Sequence, residues 1–152
     1  MMTAQIENDI FFATSFSGHV DYETGQVHPH FREKIEGLLT TLREVGGFVV
    51  YCSVEAEDWM ISHEAAGISM ARNFKNIEAR PIFLALVDGV GSDGRGLEIE
   101  HAYNNGKRVF LTTGPGEELS WVMKEIVAMG RVEHIPYEKP EELAEKLSKK
   151  VG

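Results

Sequence analysis

The sequence predicts a three-layer α/β/α domain of the flavodoxin-like (Rossmann-like) class, built on a five-stranded parallel sheet in the order 2-1-3-4-5. Short apolar runs alternate with longer segments of helical periodicity throughout the 152 residues. The runs are apolar on both faces, which is typical of strands buried in a parallel sheet. Parallel strands require crossover connections, and the helical segments provide them. No repeat or linker interrupts the pattern, so we expect a single domain over residues 1–152.

The first predicted strand, residues 9–14, leads into a polar loop that contains Ser15, Ser17 and Gly18. Open parallel sheets bind ligands just beyond the carboxyl ends of their strands. These three residues therefore stand where a ligand is expected. From the sequence alone, an ordinary serine–glycine turn explains them equally well.

The first helix is predicted over about residues 29–45, and the second strand over residues 48–52. Pro29 suits a first helical turn, and Gly46-Gly47 ends the helix. The apolar residues of this helix recur at helical spacing: Phe31, Ile35, Leu38, Leu42 and Val45. Cys52 closes the apolar run of the second strand, so we assign it to the core rather than to a nucleophile.

An acidic segment, residues 53–58, follows the second strand, and a solvated loop is its favoured interpretation. A helix is then expected over about residues 60–78, with a break at Gly67. His63-Glu64 begins like a zinc-protease motif, but glycine at position 67 replaces the second histidine, so the motif fails. No other ligand set is evident, and we expect neither a metal nor a cofactor.

The third strand, residues 81–87, runs into a glycine-rich loop and a helix, and the fourth strand follows at residues 108–112. Ser92 or Asp93 can cap the helix. Glu98 lies in or near its first turn, where free amides and the helix dipole favour an ionised carboxylate. Glycines let a ligand approach the backbone closely, so Glu98 is a candidate nucleophile. Acidic residues also occur in first turns merely because they stabilise them.

The last elements are a helix over residues 117–130, a strand over residues 131–135 and a helix that begins at Pro140. The first of these helices has a predicted core stripe: Leu119, Val122, Met123, Ile126 and Met129. Ser120 and Trp121 point elsewhere. An exposed tryptophan beside a core stripe indicates an interface.

The composition narrows the classes of function. A net charge of −9 argues against a broad nucleic-acid-binding face, although it leaves room for a small phosphate site made of amides and hydroxyls. One cysteine excludes an internal disulfide framework. We find neither a signal peptide nor an apolar run of membrane-spanning length, and expect a cytoplasmic protein with no membrane partner.

One set of spaced residues carries a family resemblance. Ser92-x-Gly94-x-x-x-Glu98-x-x-x-Ala102, followed by Gly106-Lys107, resembles the signature of the nucleoside 2-deoxyribosyltransferase superfamily. The closest branch is the 2′-deoxynucleoside 5′-monophosphate N-hydrolases. Residues 13–18 are similar to the family's Gly-Ser-Ile-Arg-Gly loop, and residues 119–123 are similar to a Leu-Ser-containing helix.

The resemblance implies cleavage or transfer of an N-glycosidic bond, with Glu98 as the nucleophile that attacks the anomeric carbon. It also implies a nucleoside or nucleoside 5′-monophosphate as the substrate and a homodimer as the assembly. Ser120 would reach the phosphate in the neighbouring subunit's site, with Trp121 at or near the interface. The implied substrate-binding residues are Ser15, Ser17, Gly18, Ser92, Gly94 and Ser120.

The sequence departs from the family at one functional position. Relatives carry an aspartate on the helix before the third strand, where it orients the substrate and helps proton transfer. Here the matching positions lie near Arg72 and Asn73. Glu55, Glu64 and Asp88 are the candidates to replace it, and the sequence does not choose among them.

Two other functions are compatible with the sequence. A non-catalytic nucleotide-binding or sensing domain on the same scaffold gains from the missing aspartate. A dinucleotide-binding module formally matches Gly89-x-Gly91-x-x-Gly94, but the next strand ends in Thr112-Thr113 without the expected acidic residue. A phospho-acceptor receiver needs acidic residues at the end of the first strand, and Thr14-Ser15 stands there instead.

Overall fold

The computed structural model describes residues 7–61, 67–89 and 93–152. Within these ranges all sheet pairings are parallel, and the strand order is β2-β1-β3-β4-β5. The strands are β1 (Asp9–Ala13), β2 (Val49–Cys52), β3 (Ile82–Leu86), β4 (Arg108–Thr113) and β5 (Glu133–Pro136). The predicted sheet, its order and the flavodoxin-like class are therefore confirmed.

Helices cover both faces of this sheet. They are α1 (Pro29–Glu44), α2 (Ser53–Ala56), α3 (Ile68–Glu78), α4 (Asp93–Asn104), α5 (Trp121–Ala128) and α6 (Pro140–Val151). One apolar core includes side chains of α1 and α6, and a second core includes those of α3, α4 and α5. None of the helices in the described ranges is long and apolar enough to cross a bilayer.

The central strands show why the two cores form. Successive side chains of a strand point to opposite faces of the sheet. Ile10 and Phe12 accordingly enter the core beneath α1, whereas Phe11 enters the core beneath α4 and stacks on Phe83 of β3 at 5.6 Å between ring centroids. Burial on both faces explains the continuous apolar runs of the sequence.

The segment after β2 differs from its predicted loop. Residues Ser53–Ala56 form the short helix α2, and Arg43 of α1 holds Glu55 through two hydrogen bonds of 2.6 and 2.9 Å. Cys52 is buried, and this burial raises the pKa of its thiol to about 11. The thiolate is the reactive form of cysteine, so the raised pKa agrees with the core assignment.

Helix α5 is shorter than predicted and packs through a different stripe. Ser120 is its N-cap and accepts a hydrogen bond from the Met123 amide at 3.3 Å, so the helix begins at Trp121 rather than at residue 117. Three partly buried residues face the core: Met123, Ile126 and Val127. Val122 and Met129, predicted to lie in the core, are exposed. Val45, the residue that follows α1, is exposed as well.

Candidate active site

Glu98 lies on the face of α4 that packs into the protein. It is the sixth residue of this helix, and only 8% of its surface is exposed. Burial raises its pKa from 4.5 to about 7, and a hydrogen bond with the Asn73 side chain acts in the opposite direction. The expectation of a carboxylate held ionised by the first helical turn is therefore wrong. Glu98 sits in the second turn, where the dipole effect has faded and desolvation dominates.

Asn73 supplies the polar contact that Glu98 receives from α3. A bond that stabilises the ionised carboxylate requires a donor, which is the Nδ2 amide of Asn73. The Oδ1 atom of Asn73 is buried and has no hydrogen-bond partner. An aspartate here would place a second carboxylate against Glu98, and two such charges repel. Asparagine therefore fits this position without that repulsion.

Three ionisable side chains meet where β1 and β3 end. His19 Nε2 lies 2.7 Å from Asp88 Oδ2, and Arg95 Nη1 lies 4.0 Å from Asp88 Oδ1. The imidazole of His19 stacks on Phe31 of α1, with 3.9 Å between ring centroids and 7° between planes. We call His19, Asp88 and Arg95 the edge cluster. It spans the crevice between α1 on one face of the sheet and α4 on the other.

The edge cluster and Glu98 are connected by helix α4, because Arg95 of the cluster and Glu98 both belong to this helix. Arg95 and Glu98 are three residues apart on this helix, so their side chains leave it on the same side. Both are buried. Burial lowers the pKa of Arg95, the nearby Asp88 carboxylate opposes this effect, and Arg95 also donates to the Leu86 carbonyl at 3.3 Å. The site thus combines a buried carboxyl group with a histidine–aspartate–arginine cluster.

The other predicted site residues that the structure describes also follow the carboxyl ends of strands. Ser15 is buried directly after β1, and Gly18 is exposed in the 3-10 turn Phe16–His19 that follows. Gly94 lies in the first turn of α4. Ser92 lies outside the described residues, as does the side chain of Ser17. Ser120 lies in the segment between β4 and α5, where its hydroxyl caps the first turn of α5.

Two of the three candidates to replace the family aspartate can now be placed. Glu55 follows β2, which lies two strands from β3, and it is bound by Arg43. Asp88 belongs to the edge cluster, and Glu64 lies outside the described residues. Neither His19 nor Arg95 was predicted as a site residue. The only indication of them was position, since each lies in a loop or first turn that follows a buried strand.

Of two cavities among the described residues, one lies at the carboxyl edge of the sheet and the other lies at the amino edge. A cavity of about 320 Å³ opens at the carboxyl ends of β4 and β5, and its lining includes Glu117, Thr113 and His134. The Glu117 carboxylate lies 3.1 Å from where a Cβ of Gly89 would stand, so this cavity adjoins the loop after β3. A cavity of about 530 Å³ lies at the opposite edge, by the start of β4, where Arg108 is paired with Glu133. Its place at the amino ends of the strands separates it from Glu98.

Comparison with solved structures supports the fold. A CMP N-glycosidase from Clostridium botulinum, BcmB, matches with a TM-score of 0.60 and 20% identity over 93% of this chain and 98% of that chain. A conserved protein from Enterococcus faecalis V583 matches with a TM-score of 0.64 and 16% identity, over 94% and 98%. A protein described as pilus assembly-related, from Burkholderia pseudomallei K96243, matches with a TM-score of 0.52 and 12% identity, over 97% and 91%.

Comparison of the sequence with known families and proteins does not assign this chain to a family. No protein-family profile and no curated protein sequence matches this chain. The structural likenesses therefore establish the fold, and the fold that the family resemblance implied is the one observed: this chain has the α/β/α architecture found in a CMP N-glycosidase.

Proposed function

We propose that this protein cleaves the N-glycosidic bond of a nucleoside or nucleoside 5′-monophosphate, with Glu98 as the nucleophile. The burial of Glu98 is the main observation that supports this proposal. Carboxyl groups are rarely buried without a cationic partner, and a strongly perturbed one in a crevice is a functional candidate. Here the contact from α3 is the neutral amide of Asn73. The fold shared with a CMP N-glycosidase supports the same reaction class.

The proposed reaction proceeds in two displacements. In the first, a carboxylate oxygen of Glu98 bonds to the anomeric carbon while the carbon–nitrogen bond breaks and its electron pair leaves with the base. In the second, water or an incoming base displaces Glu98 from that carbon and restores the carboxylate. With a pKa of about 7, roughly half of the Glu98 side chains are ionised at neutral pH.

The substrate would lie across the carboxyl edge of β1 and β3. We assign its sugar and phosphate to the loop after β1, with Ser15, Ser17 and Gly18, and to the start of α4, with Ser92 and Gly94. Free amides at the start of a helix suit an anionic group such as a 5′-phosphate. This assignment predicts that monophosphates are better substrates than bare nucleosides.

The assembly we propose is a homodimer whose sites are completed by Ser120 of the opposite subunit. Trp121 is 74% exposed, and Val122 in α5 and Met129 directly after it are exposed as well. Exposed apolar faces of this kind are typical of protein interfaces. A two-fold axis beside α5 would bury these side chains and carry each Ser120 towards the other subunit.

A panel of nucleosides and 5′-monophosphates, with released base measured by chromatography, tests the reaction. We expect Glu98→Gln to reduce base release by at least about 10³-fold, because it removes the attacking oxygen's charge. Glu100→Gln is the matched control, since Glu100 is exposed on the same helix and contacts Arg131 at 3.6 Å. Retention of more than about a tenth of the wild-type rate in Glu98→Gln would exclude Glu98 as the nucleophile.

A second candidate function follows from Asn73. A carboxamide transfers no proton, so a site with Asn73 beside Glu98 also suits a domain that binds a nucleotide without cleaving it. Calorimetry with the same panel distinguishes the two functions. Saturable binding of a nucleotide that stays intact over hours would favour the non-catalytic domain.

A further inference from the structure

The proposed two-step reaction leaves the edge cluster without a role. We propose that His19, positioned by Asp88, is the general acid that protonates the departing base and the general base that activates the incoming water. This inference rests on the proposed N-glycosidase function. It gives a catalytic role to His19 and a positioning role to Asp88.

The reaction needs a proton donor, and the position next to Glu98 does not provide one. A base that leaves from the anomeric carbon carries the electron pair of the broken bond, and protonation makes it a better leaving group. Asn73 has no titratable proton to give. Glu55 is engaged by Arg43 through hydrogen bonds of 2.6 and 2.9 Å. Glu55 and Asp88 each follow the carboxyl end of a strand, but Asp88 follows β3, the strand that leads into α4, and its carboxylate contacts His19.

The geometry of His19 is that of an oriented acid–base group. When Nε2–H donates to Asp88 at 2.7 Å, the second ring nitrogen, Nδ1, carries the exchangeable proton. Stacking on Phe31 fixes the plane of the ring. The His19 side chain is 25% exposed, whereas the Asp88 side chain is 5% exposed. A ligand in the crevice therefore reaches the imidazole more readily than the carboxylate behind it.

The surrounding charges suit proton exchange better than capture of an anion. The imidazole of His19 faces the carboxylate of Asp88, which follows β3. Arg95 of α4 approaches the other oxygen of that carboxylate. Phe31 covers the ring from α1, and the amide of His28 donates to the His19 carbonyl at 2.7 Å. A phosphate brought to His19 would meet the Asp88 carboxylate as well, and like charges repel.

The two steps balance with His19 included. In the first, the bond from Glu98 to the anomeric carbon forms, the carbon–nitrogen bond breaks, and the base takes its electron pair together with the Nδ1 proton of the imidazolium. In the second, water attacks the anomeric carbon, His19 takes a proton from it, and the bond to Glu98 breaks to regenerate the carboxylate. The net change is hydrolysis to sugar and base, with both residues returned to their initial states.

The test compares leaving groups. The base-bearing substrate is the nucleotide or nucleoside that the wild-type protein cleaves fastest, and the second substrate is the 4-nitrophenyl glycoside of the same sugar, whose leaving group departs without a proton. We expect His19→Gln to slow base release about 10²–10³-fold and nitrophenol release less than about threefold. Asp88→Asn should act in the same direction and less strongly. His30→Gln, at an exposed histidine near the start of α1, is the matched control and should leave both rates unchanged.

Equal losses on both substrates in His19→Gln would overturn the assignment of His19 and leave the N-glycosidase function standing. Failure of the wild-type protein to release base from any substrate would overturn the proposed function and, with it, this inference.

Discussion

Replacement of Glu98 by glutamine should make the protein more stable, and the gain should grow with pH. The folded-state pKa of Glu98, about 7, lies above the value of 4.5 for an exposed carboxyl group. A carboxyl group with a raised folded-state pKa binds more protons in the folded than in the unfolded state between these two pH values. Its contribution to stability is therefore complete below pH 4.5 and is lost as the pH rises through about 7. Glutamine carries no charge at any pH and avoids this loss.

The size of the effect follows from the difference between the two pKa values. A difference of about 2.5 pH units corresponds to roughly 3 kcal/mol, of which about 1 kcal/mol is already lost at pH 5. The stability of Glu98→Gln relative to wild type should thus rise by about 2–3 kcal/mol between pH 5 and pH 8.5. For a domain of this size, that is roughly 5–10 °C in Tm.

Urea unfolding followed by circular dichroism at several pH values between 5 and 8.5 measures this difference. The matched control is Glu100→Gln, because Glu100 is exposed two residues away and no comparable desolvation acts on it. A stability difference between Glu98→Gln and wild type that stays constant across this pH range would refute the argument from burial. The measurement does not depend on any substrate.

Asn73→Ala should shift the acidic limb of the pH–activity profile upward by about one pH unit, because the Asn73 amide stabilises the ionised form of Glu98. The control Asn104→Ala removes an amide near the exposed Glu100 and should leave the acidic limb unchanged. Trp121→Glu should produce monomers in sedimentation and abolish activity, since the new charge would be buried without a partner in the proposed interface. Ser120→Ala should weaken monophosphate binding while the dimer persists, and full monophosphate affinity would argue against a shared site.

The sheet and its order could be predicted because they depend on local patterns. Continuous apolar runs indicated buried strands, and the alternation of strands with helical periods left few possible topologies. The limits of α5 could not be predicted in the same way. Val122 and Met129 fit a helical stripe as well as Met123 does, and only packing against the sheet decides which stripe is buried.

The site was predictable in its location and only partly in its chemistry. The glycine loop and Glu98 were evident because they follow a strand. The contacts that decide the behaviour of Glu98 join distant parts of the chain. Asn73 reaches it from a separate helix, and His19 meets Asp88 across 69 residues. The hydrophobic periodicity of a sequence does not predict contacts between residues so far apart. The desolvation that raises the pKa of Glu98 likewise arises only when α3 packs on α4.

If Glu98 is the nucleophile, it forms a covalent bond to the sugar, and mass spectrometry of the acid-quenched reaction detects that bond. The protein would be mixed with the best substrate of the panel, or with its 2-fluoro sugar analogue to slow the second step, and then digested. We expect a sugar adduct on the peptide that contains Glu98, formed as base is released and absent in Glu98→Gln. Release of base with no adduct at any time, or an adduct on a different residue, would contradict it.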